Sequence, residues 1–426
     1  MTSPLPAQTS QTPCCPEFAA VSRRGLLSGA VALAGATTFV GSAAITTSAP
    51  RASAASLPAP ADAVLVVLSL RGAADGLSLV VPHGDPVYYS ARPRIAVPAD
   101  RLVARDGMFG LHPELAPLLP LWNEGRLAAV HATGLPAPNR SHFAAMEAVE
   151  DADPGSTARS GWLNRLIGTA PGRSPLQGFN LSGGVSPTSL YGPEPTMSAG
   201  AVDKVRLPGD DPDDHGRRRR SLHTLWDGNR TPLARAMRST YAAVDEFGAA
   251  QATTDNSASY PKTDLGKALS QVARVVRGNV GVEVITVDQG DWDMHSGVGS
   301  VDQGWMVDNA RELAGAIAAF FGDLGDQASK VTLVTISEFG RRVVENASQG
   351  LDHGYGNVMF VAGAGVRGGQ YYGSWPGLAK TDDADLLVTT DYRSVLAEIV
   401  SKRFGASTAK VFPRFSAKTV GVVTSL

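Results

Sequence analysis

Apolar runs of strand length recur along this chain, with polar and helical stretches between them. Residues 63–70 read AVLVVLSL, residues 127–133 LAAVHAT, residues 282–287 VEVITV, and Val331–Ile336 VTLVTI. Runs so nearly continuous predict strands buried on both faces, since a strand with one wet face alternates apolar and polar residues. Residues 357–362 are a further strand candidate. Helical patterning is predicted from Ser141, with that serine as a cap, over about residues 303–321, and over Tyr392–Phe404 behind Asp391. Strands alternating with helices predict an α/β fold, its mostly parallel sheet covered on both sides.

The N-terminus breaks this pattern. Ser22-Arg23-Arg24-Gly25-Leu26-Leu27 is a twin-arginine sequence, a Gly/Ala-rich run follows to about Val40, and Ala52-Ser53-Ala54 fits an A-x-A cleavage site. Residues 1–54 therefore read as a leader, and residues 55–426 as a single mature domain. Glycines, serines and threonines dilute the run, which favours export with cleavage over a membrane anchor. The twin-arginine translocase is the expected partner, and the periplasm, envelope or extracellular space the expected location. No later stretch reaches the ~18 unbroken apolar residues of a membrane helix, so no stable insertion is expected after cleavage.

Composition narrows the chemistry. Cys14 and Cys15 would leave with the leader, so no disulfide, thiolate ligand or thiol nucleophile remains. The 38 basic and 40 acidic side chains become 35 and 39 once Arg23, Arg24, Arg51 and Glu17 are set aside. That balance gives no reason to expect nucleic acid as a partner. Residues 184–264, rich in Pro, Gly, Ser and charge, read as an insertion or cap over the site. Within them, residues 210–220 (DDPDDHGRRRR) read as a self-neutralising solvated loop.

Candidate chemistry lies just past the strand-like runs, where open α/β sheets bind ligands. Asp75 follows the first run and is either a crevice carboxylate or a turn residue before Gly76. Ser141 opens a helix, so it is either an N-cap or a nucleophile beside the helix N-terminus, with Arg140 as an oxyanion clamp and His142 as ligand or base. The segment 288–295 (DQGDWDMH) puts Asp288, Asp291, Asp293 and His295 after one buried run. So many like charges are costly to desolvate together unless a cation or water satisfies them. Glu338, followed by Arg341, and the glycine-flanked pair Asp352-His353 complete the set, each with a plain surface pair or turn as the alternative. His131 reads as a core residue, and His83, His112, His215 and His223 as surface.

The runs LSLRGAADGL, RSHF, VDQGDWDMHSG, VTISEFGRR and LDHGYGNVMFVAGAGVRGGQYYG, in that order, resemble domain-of-unknown-function family 1501 across nearly all of residues 62–410. That family is similar in fold to alkaline phosphatases and sulfatases. The resemblance implies a three-layer α/β/α sandwich with a metal site at the strand ends. It implies Asp75 as first ligand, Ser141 as nucleophile, Asp288, Asp293 and His295 as an Asp…His segment, and His353 as the late histidine. Where that superfamily usually shows Asp-His, this chain has Glu338-Phe339, and a phenyl ring ligates nothing. His142 or Asp352 would then supply the missing ligand, with Glu338 a ligand or an acceptor behind one. The expectation is an exported hydrolase of phosphate or sulfate esters, small or polymeric, holding one or two divalent ions (Zn, Ca, Mg or Mn). Arg140 or Arg341 would offset charge on the ester. The alternatives are a non-catalytic envelope or extracellular binding protein on the same fold, or a metalloenzyme that migrates phosphoryl groups.

Overall fold

The computed structural model describes residues 36–40, 43–47 and 60–425, apart from 158, 171–173, 183, 185 and 208–214. An 11-stranded sheet runs through it. Its strands are β1 (Ala36–Val40), β2 (Ala43–Thr47), β3 (Val64–Leu70), β4 (Leu127–Gly134), β5 (Gly178–Asn180) and β6 (Thr196–Ala199), then β7 (Val284–Gln289), β8 (Val331–Ile336), β9 (Asn357–Gly363), β10 (Tyr371–Tyr372) and β11 (Thr390–Asp391). The spatial order is β1-β2-β6-β5-β7-β3-β8-β9-β4-β10, with β11 also paired to β4. β3 is parallel to both neighbours, with Val64 opposite Val331 and Leu65 opposite Val284. β9 runs antiparallel between β8 and β4.

Every residue of β3 is buried, as its unbroken apolar run predicts. Val66, Leu68 and Leu70 face one apolar core, while Leu65 and Val67 face the other. The first core is closed by α2 (Asp264–Gly278) and α3 (Trp305–Asp323). Leu265, Leu269, Val272 and Val276 recur at helical spacing along α2, giving it one apolar stripe. The second core is closed by α1 (His142–Asp151) and α4 (Tyr392–Phe404). The Asp391 carboxylate caps α4 by accepting from the Arg393 N–H at 2.9 Å. The result is a mixed α/β protein, its large, mostly parallel sheet flanked by helices on both sides.

Within the segment read as a leader, β2 pairs antiparallel with β6 from Ala43 opposite Ala199 to Thr46 opposite Thr196. The twin arginines and the A-x-A sequence lie outside the described residues. The stretch read as a cap also contributes to the body of the fold. It supplies β6, and Tyr241, Val244 and Phe247 join the core beneath α2 because they are apolar at helical spacing. Of the charge run, residues 208–214 lie outside the described residues; Arg217–Trp226 is a helix with no buried residue. Among the described residues no helix is long and apolar enough to cross a membrane.

Candidate metal centre

Five neighbouring strands, β7, β3, β8, β9 and β4, bring the candidate residues to one edge of the sheet. β7 ends at Gln289 and leads into Asp293 and His295; β8 ends at Ile336, two residues before Glu338; the loop after β4 starts α1 at His142. β9 runs the other way, so the loop before it delivers Asp352 and His353 to the same edge. Close packing of these loops needs glycine at two positions. Gly72 has φ +105°, and a Cβ there would lie 2.6 Å from the Asp293 nitrogen; at Gly350 it would lie 1.9 Å from the His295 carbonyl oxygen.

Three imidazoles meet there. His142 Nε2 and His295 Nε2 each lie 2.9 Å from His353 Nε2. Asp293 Oδ1 is 3.5 Å from the first, 3.3 Å from the second and 3.7 Å from the third. Each ring turns its other nitrogen to an oxygen: His142 Nδ1 to Glu338 at 2.8 Å, His295 Nδ1 to Asp352 at 2.9 Å, and His353 Nδ1 to the Arg140 carbonyl at 2.8 Å. Those oxygens can only accept if the carboxylates are ionised, so each Nδ1 carries a hydrogen. Burial works against the Glu338 charge, but the hydrogen bonds from His142 and backbone N–H groups together with the His142 charge outweigh it and lower that pKa. Burial likewise opposes the Asp352 charge, and His295, Asn346 and Arg341 together lower its pKa.

The three Nε2 atoms are then lone-pair atoms facing one another, which is repulsive unless extra protons or a cation lie between them. Nitrogens bound at ~2.0–2.1 Å to one tetrahedral zinc are roughly 3.3 Å apart, against 2.9 Å between His353 Nε2 and each of the other two, so an ion there would need the rings to part by a few tenths of an ångström. His142, Asp293 and His353 bring ligand atoms within 4.8 Å of one another and could hold a metal ion. Burial disfavours charge on His142, but Asp293 and Glu338 outweigh it and lift its pKa to about 9. Burial also opposes the Asp293 carboxylate; hydrogen bonds from His142, His353 and Arg341 nevertheless hold it far below the usual range.

Several predicted roles are corrected. Asp75 is outside this cluster: both its oxygens are taken by Arg92, at 2.5 and 3.0 Å, and it is 2% exposed. Asp288 pairs with Arg71 at 3.1 Å on the surface, and Asp291 is exposed. Glu338 and Asp352 stand behind imidazoles rather than facing the centre. Arg341 is no ester clamp, since its buried guanidinium donates to Asp293 at 2.7 Å and to the carbonyls of Ala73, Leu351 and Trp292, tying the loops together. The Arg140 side chain turns to Asp385, and its backbone carbonyl serves the site instead. Phe339 walls the centre, its ring centroid 4.9 Å from that of His142 and 5.0 Å from that of His353. His131 is buried as expected, while His112 is buried and not on the surface.

Ser141 occupies the cap position of α1, but its hydroxyl makes no capping hydrogen bond. It lines a cavity of about 620 Å³ with His142, Arg71, Phe143, Met146 and Thr188. Among the described residues of the stretch read as a cap, Thr188 is the one that reaches this cavity. Arg71 and Phe143 lie within the runs LSLRGAADGL and RSHF, but neither was given a role of its own. Arg92, the partner of Asp75, carried no sequence signal.

The family described as "Protein of unknown function (DUF1501)" matches residues 122–423. No curated protein matches the chain.

Proposed function

The chain belongs to the DUF1501 family, and from its metal centre we propose that it is an exported, metal-dependent hydrolase of phosphate or sulfate esters. One observation supports the reading: three imidazoles, each held at Nδ1 by an oxygen, bring Nε2 within 3.7 Å of Asp293 Oδ1. His142, His295, His353 and Asp293 would hold the ion. Imidazoles favour zinc over calcium or magnesium, which prefer all-oxygen shells. A bound divalent ion would supply Lewis acidity toward the ester oxygens. Ser141 Oγ would attack phosphorus or sulfur in line, forming a new O–P or O–S bond as the ester's own bond breaks. The serine's proton would pass to the departing alcohol, and water would then cleave the seryl ester and restore the hydroxyl. Glu338 would fix the His142 tautomer and ring orientation. A relationship to the alkaline phosphatase fold is part of this proposal, supported by ligand loops gathered at the carboxyl edge of a mostly parallel sheet. Export rests on Arg23-Arg24 and the small-residue cleavage sequence.

A second reading, a non-catalytic envelope or extracellular binding protein, is favoured by one feature. Arg71, Arg140 and Arg341 each already pair with a carboxylate, so the arginines at the site are spoken for. Metal analysis of natively exported protein, with turnover of aryl phosphate and aryl sulfate, separates the two. About one divalent ion per chain and turnover abolished by Ser141→Ala is the expected result. Bound metal without turnover of either ester would instead establish the binding protein.

A further inference from the structure

We infer that the cavity beside His142 receives an uncharged, apolar organic group, the alkyl or aryl part of the ester; this rests on the ester-hydrolase reading above. The cavity begins where the metal centre ends, since His142 belongs to both and Glu338, its partner, also lines the cavity. Phe143, the next residue, is 49% exposed, one of four large hydrophobic residues so exposed among those described. Ala144 and Met146 continue the apolar wall. Burying such a wall under an apolar ligand removes its surface from water, and a volume of about 620 Å³ suits a small organic molecule.

The charges around the cavity argue the same way. Arg71 is held by Glu150 at 2.6 Å and by Asp288 at 3.1 Å, Glu147 pairs with Arg159, and Glu338 accepts from His142. A charged group entering here would lose water and find the charged partners already engaged. An alkyl chain or aromatic ring loses nothing polar. With the anionic head of the ester at the histidines, its organic part would lie against Phe143.

Two measurements on zinc-loaded protein test this. The first is binding of 1-naphthol, followed by its fluorescence, to the wild type, Phe143→Ser and Phe143→Leu. Saturable binding weakened about tenfold by Phe143→Ser and largely kept by Phe143→Leu is expected. No binding, or equal binding by all three proteins, overturns the inference. The second compares hexyl phosphate with glycerol phosphate, whose leaving alcohols differ little in basicity. A preference for the hexyl ester of about tenfold or more in kcat/KM, lost in Phe143→Ser, supports the inference, and equal turnover overturns it. Naphthol binding at Phe143 without turnover of any ester would leave the apolar subsite standing and remove the hydrolase reading alone.

Discussion

Asp75 and Asp293 both sit just past buried strands, and both meet a buried arginine, yet one is locked by it and the other is shared with a cluster of imidazoles. Arg92 covers Asp75 with two parallel hydrogen bonds, and also donates to Ser78 and to the carbonyls of Val343 and Arg342. That carboxylate is buried, with both oxygens on the guanidinium. Arg341 leaves the Asp293 carboxylate one quarter exposed, with Oδ1 within 3.7 Å of three imidazoles. The difference lies in the partners that distant loops deliver. Full pairing with one guanidinium silences a carboxylate, whereas sharing it with imidazoles leaves a group of ligand atoms that could hold a cation.

Breaking the lock should have the largest effect. Arg92→Met leaves the Asp75 charge buried and uncompensated, with an expected loss of about 3–5 kcal/mol in urea unfolding. The double variant Asp75→Leu/Arg92→Met should recover much of that loss. If Arg92→Met unfolded like the wild type, the lock would be no lock.

At the cluster the expected loss is in metal rather than in fold. His353→Ala should weaken zinc binding by more than about 100-fold, while Glu338→Gln, which only loosens the hold on His142, should cost about 10–100-fold. Competition with a chromophoric chelator reads both. Equal zinc affinity in the wild type and His353→Ala would exclude this centre as the metal site.

Histidines away from the cluster sharpen the contrast most gently. Burial lowers the pKa of His112 and of His131 to about 4, the reverse of His142. A histidine depressed in the folded state contributes stability that is intact above its unfolded pKa of about 6.5 and lost as the pH falls toward 4. Each should account for on the order of 2 kcal/mol of acid destabilisation across that window, and His131→Phe should flatten it. An unchanged pH profile in that variant would refute the assignment.

Much of the frame was legible in the chain. Val331–Ile336 and Tyr392–Phe404 lie where their patterns place them, because runs buried on both faces and capped helices are local signals. The pairing of β2 with β6 carried no signal in the chain, because a composition of small residues and threonines suits a leader as well as an edge strand. His112 was misread because one histidine in a polar context gives no sign of its burial.

The sequence by itself determined the alternation of strands and helices and the short list of acids and histidines past the strand ends, since periodicity and residue chemistry are carried locally. Only the tertiary structure decided which of those residues share a centre. Asp75 and Asp293 look alike until Arg92 and the histidines arrive from elsewhere in the chain. His142 and His353 are 211 positions apart, yet their Nε2 atoms are separated by 2.9 Å. Electrostatic partnership depends on distance in space, and it is the order and direction of the strands that set that distance.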